Sequence, residues 1–169
     1  NLGHCQMLLG LFDDASANLD RARELARRDG DRKTELLCSY SLAQIAMKRA
    51  QYPRAVAEAL AGLTLARKAD DVPRMLVGVG VMADITSRVG NIAEAMHLAE
   101  LVATHPASES EDLRQARALL MRLEASTQEP QVERMELTCC DTLETTVDWL
   151  LKHGGAQTGV TAVTELSPV

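Results

Sequence analysis

Aromatic residues are almost absent from this chain. Phe, Tyr and Trp together make up 2% of the 169 residues, although 46% are apolar. Strands are enriched in aromatic and β-branched side chains, whereas leucine, alanine and methionine are good helix formers. The core therefore has to be built from Leu, Ala, Val and Met. This composition predicts an all-α fold and argues against an all-β one.

Excess positive charge and long apolar runs are also missing. The formal net charge is −6, and residues 126–169 hold seven Asp and Glu against two Lys and Arg. A nucleic-acid footprint needs clustered positive charge, and a membrane span needs about 18 consecutive apolar residues. No signal-peptide pattern opens the chain. We therefore predict a cytoplasmic protein whose segment binds neither nucleic acid nor membrane directly.

Residue sets that carry chemistry are not apparent either. The four cysteines, Cys5, Cys38, Cys139 and Cys140, lack metal-ligand spacing, and the histidines stand apart from one another. Carboxylates alternate with arginines on helix faces that we expect to be exposed to solvent. The sequence shows no set of a nucleophile, a base and a group that orients the base. We predict that the chain is not an enzyme and holds no metal.

Two glycine patterns mimic nucleotide-binding loops. Gly78-Val-Gly80-Val-Met-Ala83 matches the dinucleotide fingerprint GxGxxA, but its surroundings predict a helix where that fingerprint needs a strand and a tight turn. The segment from Gly154 to Gly159 has phosphate-loop spacing with Val160 in place of the required lysine. We therefore predict no cofactor, and close helix packing explains the first motif better.

A repeat with a period of forty residues is the strongest positive signal. Gly10, Ala50 and Gly90 recur in register. In each copy a large apolar or aromatic residue stands two positions later, and an alanine stands five positions later. A fixed period of this size is typical of stacked helical units that bury their apolar faces only against one another. The residues in register after each turn are Phe12, Tyr52 and Ile92, then Ala15, Ala55 and Ala95.

The repeat predicts a right-handed superhelix of antiparallel helical hairpins, an α-solenoid. Its units cover about 1–30, 31–70 and 71–106, followed by a packed helix over 108–125. Residues 126–153 are predicted as a helical appendage that covers the last apolar face. It comprises a short helix with Val132, Met135 and Leu137 and a helix that Asp141 and Glu144 cap and Gly154-Gly155 ends. Residues 154–169 read as a flexible tail.

The Leu2-Gly3, Gly10, Phe12, Ala15 pattern and its two later copies resemble the tetratricopeptide repeat in a long-period form. The run Leu65–Asp71, the ending Val102–Pro106 and the helix around Thr142–Val147 are similar to the sensor repeats of large bacterial ATP-dependent (LuxR-type) transcriptional regulators. That resemblance implies binding of an inducer, a partner protein or another part of the same regulator.

In tetratricopeptide-like stacks the first helix of each unit lines a concave groove. We expect Lys48 and Arg88 there to hold an acidic group on a peptide partner. A small inducer is the other possible ligand. The alternative is a self-association or spacer element, including a homodimer, with no external ligand. The groove positions transferred to this chain are His4, Met7, Tyr40, Gln44, Met47, Lys48, Gly80, Asp84, Ser87 and Arg88.

Overall fold

The computed structural model of the chain describes residues 2–126 and 142–157. Every regular element within these two ranges is an α-helix, which confirms the all-α class. Across the same ranges, none of the helices is long and apolar enough to cross a membrane. The helices are α1 Leu2–Leu8, α2 Phe12–Asp29, α3 Arg32–Lys48, α4 Tyr52–Lys68, α5 Val72–Arg88, α6 Ile92–Thr104, α7 Ser110–Ser126 and α8 Leu143–Gln157.

Successive helices from α1 to α6 are joined by short connections that recur every twenty residues. This spacing is half of the forty-residue period seen in the sequence. One residue in each connection has a left-handed backbone, with φ between +51° and +92°. Only glycine adopts that conformation without steric cost, yet alanine and aspartate occupy two of the five positions. Helices α2 to α6 therefore begin at equal intervals. The left-handed residues are Gly10, Gly30, Ala50, Asp70 and Gly90.

Side-chain caps fix where three of these helices begin. Asp31 accepts a hydrogen bond from the backbone N–H of Thr34, and Asp71 does the same for Arg74. Asn91 caps α6 by accepting from the N–H of Glu94. Each cap satisfies an N–H group that has no partner within its helix, and this contributes about 1 kcal/mol.

The alanines that mark the repeat lie at equivalent buried positions. Ala15, Ala55 and Ala95 are all fully buried at the first turn of α2, α4 and α6, as the forty-residue register predicts. Each helix from α1 to α6 packs against the next one in the chain. Small side chains at these crossings let neighbouring helices approach closely. One continuous core runs through α3 to α8, and a smaller cluster joins α1, α2 and α3.

Helix α8 departs from this order and corrects the predicted appendage. It packs against α4 and α5 in the middle of the chain, where Leu143, Val147 and Leu150 are buried, so it does not cover the last apolar face. Nor does Gly154 end the helix, which continues to Gln157. A Cβ at Gly154 would lie 3.3 Å from Leu60 Cδ2, so glycine here allows α8 to approach α4.

Two threonines cap the start of α8. Thr142 and Thr145 form the capping pair, each donating its backbone N–H to the hydroxyl of the other, at 3.2 and 3.3 Å. The predicted cap at Asp141 lies outside the described residues. So do the predicted short helix with Val132, Met135 and Leu137, and the predicted tail beyond Gln157.

Candidate ligand pocket

Three of the predicted groove residues are buried: Met47, which borders the pocket between α3, α5 and α7, and two that lie away from it. Met7 is 5% exposed and belongs to the small cluster between α1, α2 and α3. Tyr40 is 3% exposed and belongs to the main core. Neither side chain is available to a ligand, so the groove prediction does not hold for these two positions.

Tyr40 is held in a slot between α4 and α5. Its hydroxyl donates a hydrogen bond to the carbonyl oxygen of Arg74 at 2.9 Å. A Cβ on Gly62 would overlap the Tyr40 ring, and a Cβ on Gly78 would overlap the hydroxyl oxygen. The two glycines therefore make the space that the ring fills. Burial raises the pKa of Tyr40, so its hydroxyl stays a hydrogen-bond donor.

The same contacts explain the GxGxxA pattern. Gly78 and Gly80 both lie inside α5, where no strand or tight turn precedes them, so the motif cannot present its backbone N–H groups to a pyrophosphate. Gly78 packs against Tyr40 and Leu63. Gly80 has open space in front of its missing Cβ, and that space is part of a pocket.

This pocket lies between α3, α5 and α7, with α6 contributing to its wall. Its volume is about 340 Å³, and its lining is mainly apolar. Four predicted groove residues, Gln44, Met47, Gly80 and Asp84, come together here. The other lining residues are Leu76, Val77, Val81, Ala83, Ala99, Val102, Asp112, Gln115, Ala116, Ala118, Leu119 and Arg122.

The charged groups of the pocket are unevenly paired. Arg122 donates to the Asp84 carboxylate at 3.3 Å, and the Nε of Arg88 lies 3.6 Å from the same oxygen. Asp112 has no basic side chain within 4.0 Å in the part of the chain that the structure describes. Burial raises the pKa of Asp112, and the charges of Glu109 and Glu111 act in the same direction.

The remaining predicted groove residues lie outside this pocket. Lys48 and Arg88 are exposed and do not line it, so the expected pair of cations for an acidic ligand is not assembled there. The Ser87 hydroxyl donates to the backbone carbonyl of Asp84 at 2.7 Å. His4 belongs to α1, and its side chain is outside the described structure.

Elsewhere among the described residues, the buried ionisable groups form no acid–base pair. Glu94 is buried in α6, where one carboxylate oxygen accepts a hydrogen bond from Asn91 and the other has no partner in the described part of the chain. Burial raises the pKa of Glu94 and of the Cys38 thiol. Within residues 2–126 and 142–157, no three His, Cys, Asp or Glu side chains are grouped to hold a metal.

No protein family, curated protein or solved structure matches the chain. The pocket must therefore be interpreted from its own residues. Sequence analysis missed the whole α7 wall because it treated that helix only as a packed closing element. The signal was present in the spacing of Asp112, Gln115, Leu119 and Arg122, which places all four on one helix face.

Proposed function

We propose that the chain is a non-catalytic recognition module that binds a ligand or a segment of a partner protein in the pocket between α3, α5 and α7. The observation that carries this proposal is the pocket itself, an open volume of about 340 Å³ with a mainly apolar lining and charged residues among it. Ligand sites commonly combine an apolar lining with a few polar groups, in volumes of about 300–1,000 Å³.

The proposed architecture is a right-handed superhelix of antiparallel hairpins with α1, α3, α5 and α7 on its inner side. Three of these alternate helices supply most of the pocket wall, which supports this arrangement. The short connections between packed helices from α1 to α6 are those of helical hairpins. Together with the resemblance of the sequence to the sensor repeats of LuxR-type regulators, this arrangement leads us to propose that the chain acts as the cytoplasmic sensor or scaffold part of a larger bacterial transcriptional regulator.

Filling the pocket tests this function. Gly80→Leu places a side chain in the open space that lines the pocket, and Gly155→Leu is its matched control. Both glycines are helical, and a Cβ added at either one would meet only open space, but Gly155 lies on α8, outside the pocket lining. Circular dichroism checks that both variants keep their helices.

The readout is two-dimensional amide NMR during titration with small amphipathic fragments. We expect fragments that shift the amide signals of Gly80, Asp84 and Leu119 in the unmodified protein and in Gly155→Leu. Gly80→Leu should lose these shifts. The proposal fails if no fragment moves these signals, or if fragments bind Gly80→Leu as they bind the unmodified protein.

Self-association is the second candidate, and one observation favours it. Leu2, Leu9 and Leu11 are 64%, 75% and 49% exposed at the α1 end of the structure, and Leu25 and Leu37 are also exposed. Exposed leucines close together in the chain suit a contact between copies. Sedimentation across a dilution series tests this: a mass that falls on dilution without ligand, and that Leu9→Lys lowers further, supports self-association. A constant monomer mass refutes it.

A further inference from the structure

The α7 wall of the pocket carries opposite charges at its two ends. Asp112 lies in the first turn of α7 and Arg122 lies ten residues later on the same face. At 1.5 Å per residue, their backbone positions are about 15 Å apart. Ala116 and Leu119 line the wall between them. The wall therefore has an acidic end, an apolar middle and a basic end.

Positive charge exceeds negative charge at the Arg122 end. The guanidinium groups of Arg122 and Arg88 share the single carboxylate of Asp84, at 3.3 and 3.6 Å. To the residues that the structure describes, Arg122 makes one hydrogen bond through one nitrogen, and a guanidinium has five N–H donors in total. Donors of Arg122 thus remain for an anionic group in the pocket.

The Asp112 end has the opposite balance. Its carboxylate has no cation within 4.0 Å in the two described ranges, and the neighbouring Glu111 is already bound by Arg114 and Gln115. A cationic group placed here would meet a carboxylate that accepts a hydrogen bond from the backbone N–H of Glu109 but has no cationic partner among the described residues, and that is partly removed from water. Partial burial makes that attraction stronger than at a fully exposed site.

We propose that the pocket binds a small zwitterion, with its cationic group at Asp112, its anionic group at Arg122 and an apolar middle over Ala116 and Leu119. This inference rests on the proposed function, because it names the ligand class of the same pocket. A ligand with only one charge would remove the charged residue at the other end of the wall from water without giving it a partner. Because that desolvation is not compensated, such a ligand would bind more weakly. The two ends together select for both charges.

Three probes with similar chains separate these contributions: 8-aminooctanoate, octylammonium and octanoate, each titrated by amide NMR at low ionic strength. We expect 8-aminooctanoate to bind about fivefold more tightly than either singly charged probe, as expected for one partly exposed ion pair. Asp112→Asn should lower its affinity to that of octanoate. Arg122→Gln should lower it to that of octylammonium.

Neighbouring residues on α7 provide matched controls. Glu111→Gln and Arg117→Gln make the same charge changes on the same helix, but neither residue lines the pocket. Both should keep the preference for 8-aminooctanoate. The inference is overturned if octanoate or octylammonium binds as tightly as 8-aminooctanoate, or if the control variants act like Asp112→Asn and Arg122→Gln.

The two proposals fail in different ways. One outcome is that none of the three probes binds, while other fragments bind in the pocket of the unmodified protein and no longer bind in Gly80→Leu. In that case the zwitterion inference fails and the recognition function stands. If fragments and probes alike leave the Gly80, Asp84 and Leu119 signals unchanged, both proposals fail.

Discussion

The two faces of α5 use glycine for opposite purposes. On one face Gly78 contacts the Tyr40 hydroxyl and the Leu63 side chain so closely that no Cβ fits. On the other face, two residues along, Gly80 borders open space and lines the pocket. We call these the closed face and the open face of α5. One sequence motif thus serves packing on the first and leaves room on the second.

Comparing Gly78 with Gly80 separates a glycine needed for helix packing from one that borders the pocket, within a single helix. A glycine in a helix costs about 1 kcal/mol relative to alanine. At Gly78 the fit of Tyr40 explains why that cost is accepted. At Gly80 no neighbouring side chain requires a glycine. The pocket that Gly80 lines explains why a side chain is absent there. A variant series on the two faces tests this distinction.

The largest effect is expected at Gly78. Gly78→Ala would place a Cβ against the Tyr40 hydroxyl oxygen and 2.6 Å from Leu63 Cδ2, so the helices must move apart. We expect the free energy of unfolding to fall by about 3 kcal/mol, as for overpacked cores. Chemical denaturation measures this change.

Gly80→Ala is the matched variant on the open face. Its Cβ meets nothing within 4 Å, so the better helix propensity of alanine should raise the free energy of unfolding by about 1 kcal/mol. Equal destabilisation by the two variants would contradict the division of α5 into a closed and an open face.

A smaller loss is expected from Tyr40→Phe. The ring still fills the slot, but the buried hydrogen bond to the Arg74 carbonyl is removed, at a cost of about 1 kcal/mol. Tyr52→Phe is the control, since the Tyr52 hydroxyl makes no hydrogen bond to any described residue. If both variants unfold at the same denaturant concentration, the Tyr40 hydroxyl does not secure the closed face.

The smallest effect concerns carboxylates inside and outside the core, and it depends on pH. Burial raises the pKa of Glu94 above its ordinary value of 4.5, so the folded chain holds this proton more tightly than the unfolded chain does. Below pH 4.5 the carboxyl group of Glu94 is mostly protonated in both states, so its burial lowers the free energy of unfolding only slightly. Its cost grows as the pH rises from there through the folded pKa. Glu94→Gln should therefore raise the free energy of unfolding at neutral pH, by less than the changes expected at Gly78, Gly80 and Tyr40.

Denaturation at pH 4.5 and at pH 7 measures this difference, and Asp84→Asn on the open face is the control. Asp84 has two arginines close by, so its removal should slightly destabilise the protein at neutral pH instead. A stabilisation by Glu94→Gln that is the same at both pH values would show that the buried charge is not its cause.

The regular part of the fold could be predicted from the sequence because each connection repeats a local requirement. Gly10, Ala50 and Gly90 stand in register, and the alanines that follow them are buried as expected. The intervening connections were harder to recognise as equivalent. Gly30 and Asp70 adopt the same left-handed backbone with unlike side chains, so the twenty-residue period becomes visible only in the dihedral angles.

Contacts between distant helices could not be predicted in the same way. Tyr40 lies on the face of α3 expected to line the groove, and its burial depends on Gly62 and Gly78 in two other helices. Likewise, Leu143, Val147 and Leu150 show that α8 has an apolar face, but no local signal names α4 as the helix that it covers. The pocket was therefore predicted on its α3 and α5 sides and missed on α7.

The return of α8 to the middle of the chain has a consequence for how the protein comes apart. In a linear array each unit touches only its neighbours, so the ends can open one after another. Here Arg67 of α4 binds Asp148 of α8 through two hydrogen bonds, 81 residues apart in sequence. We therefore expect α4, α5 and α8 to unfold together, and α1 and α2, which do not pack against α8, to open before them.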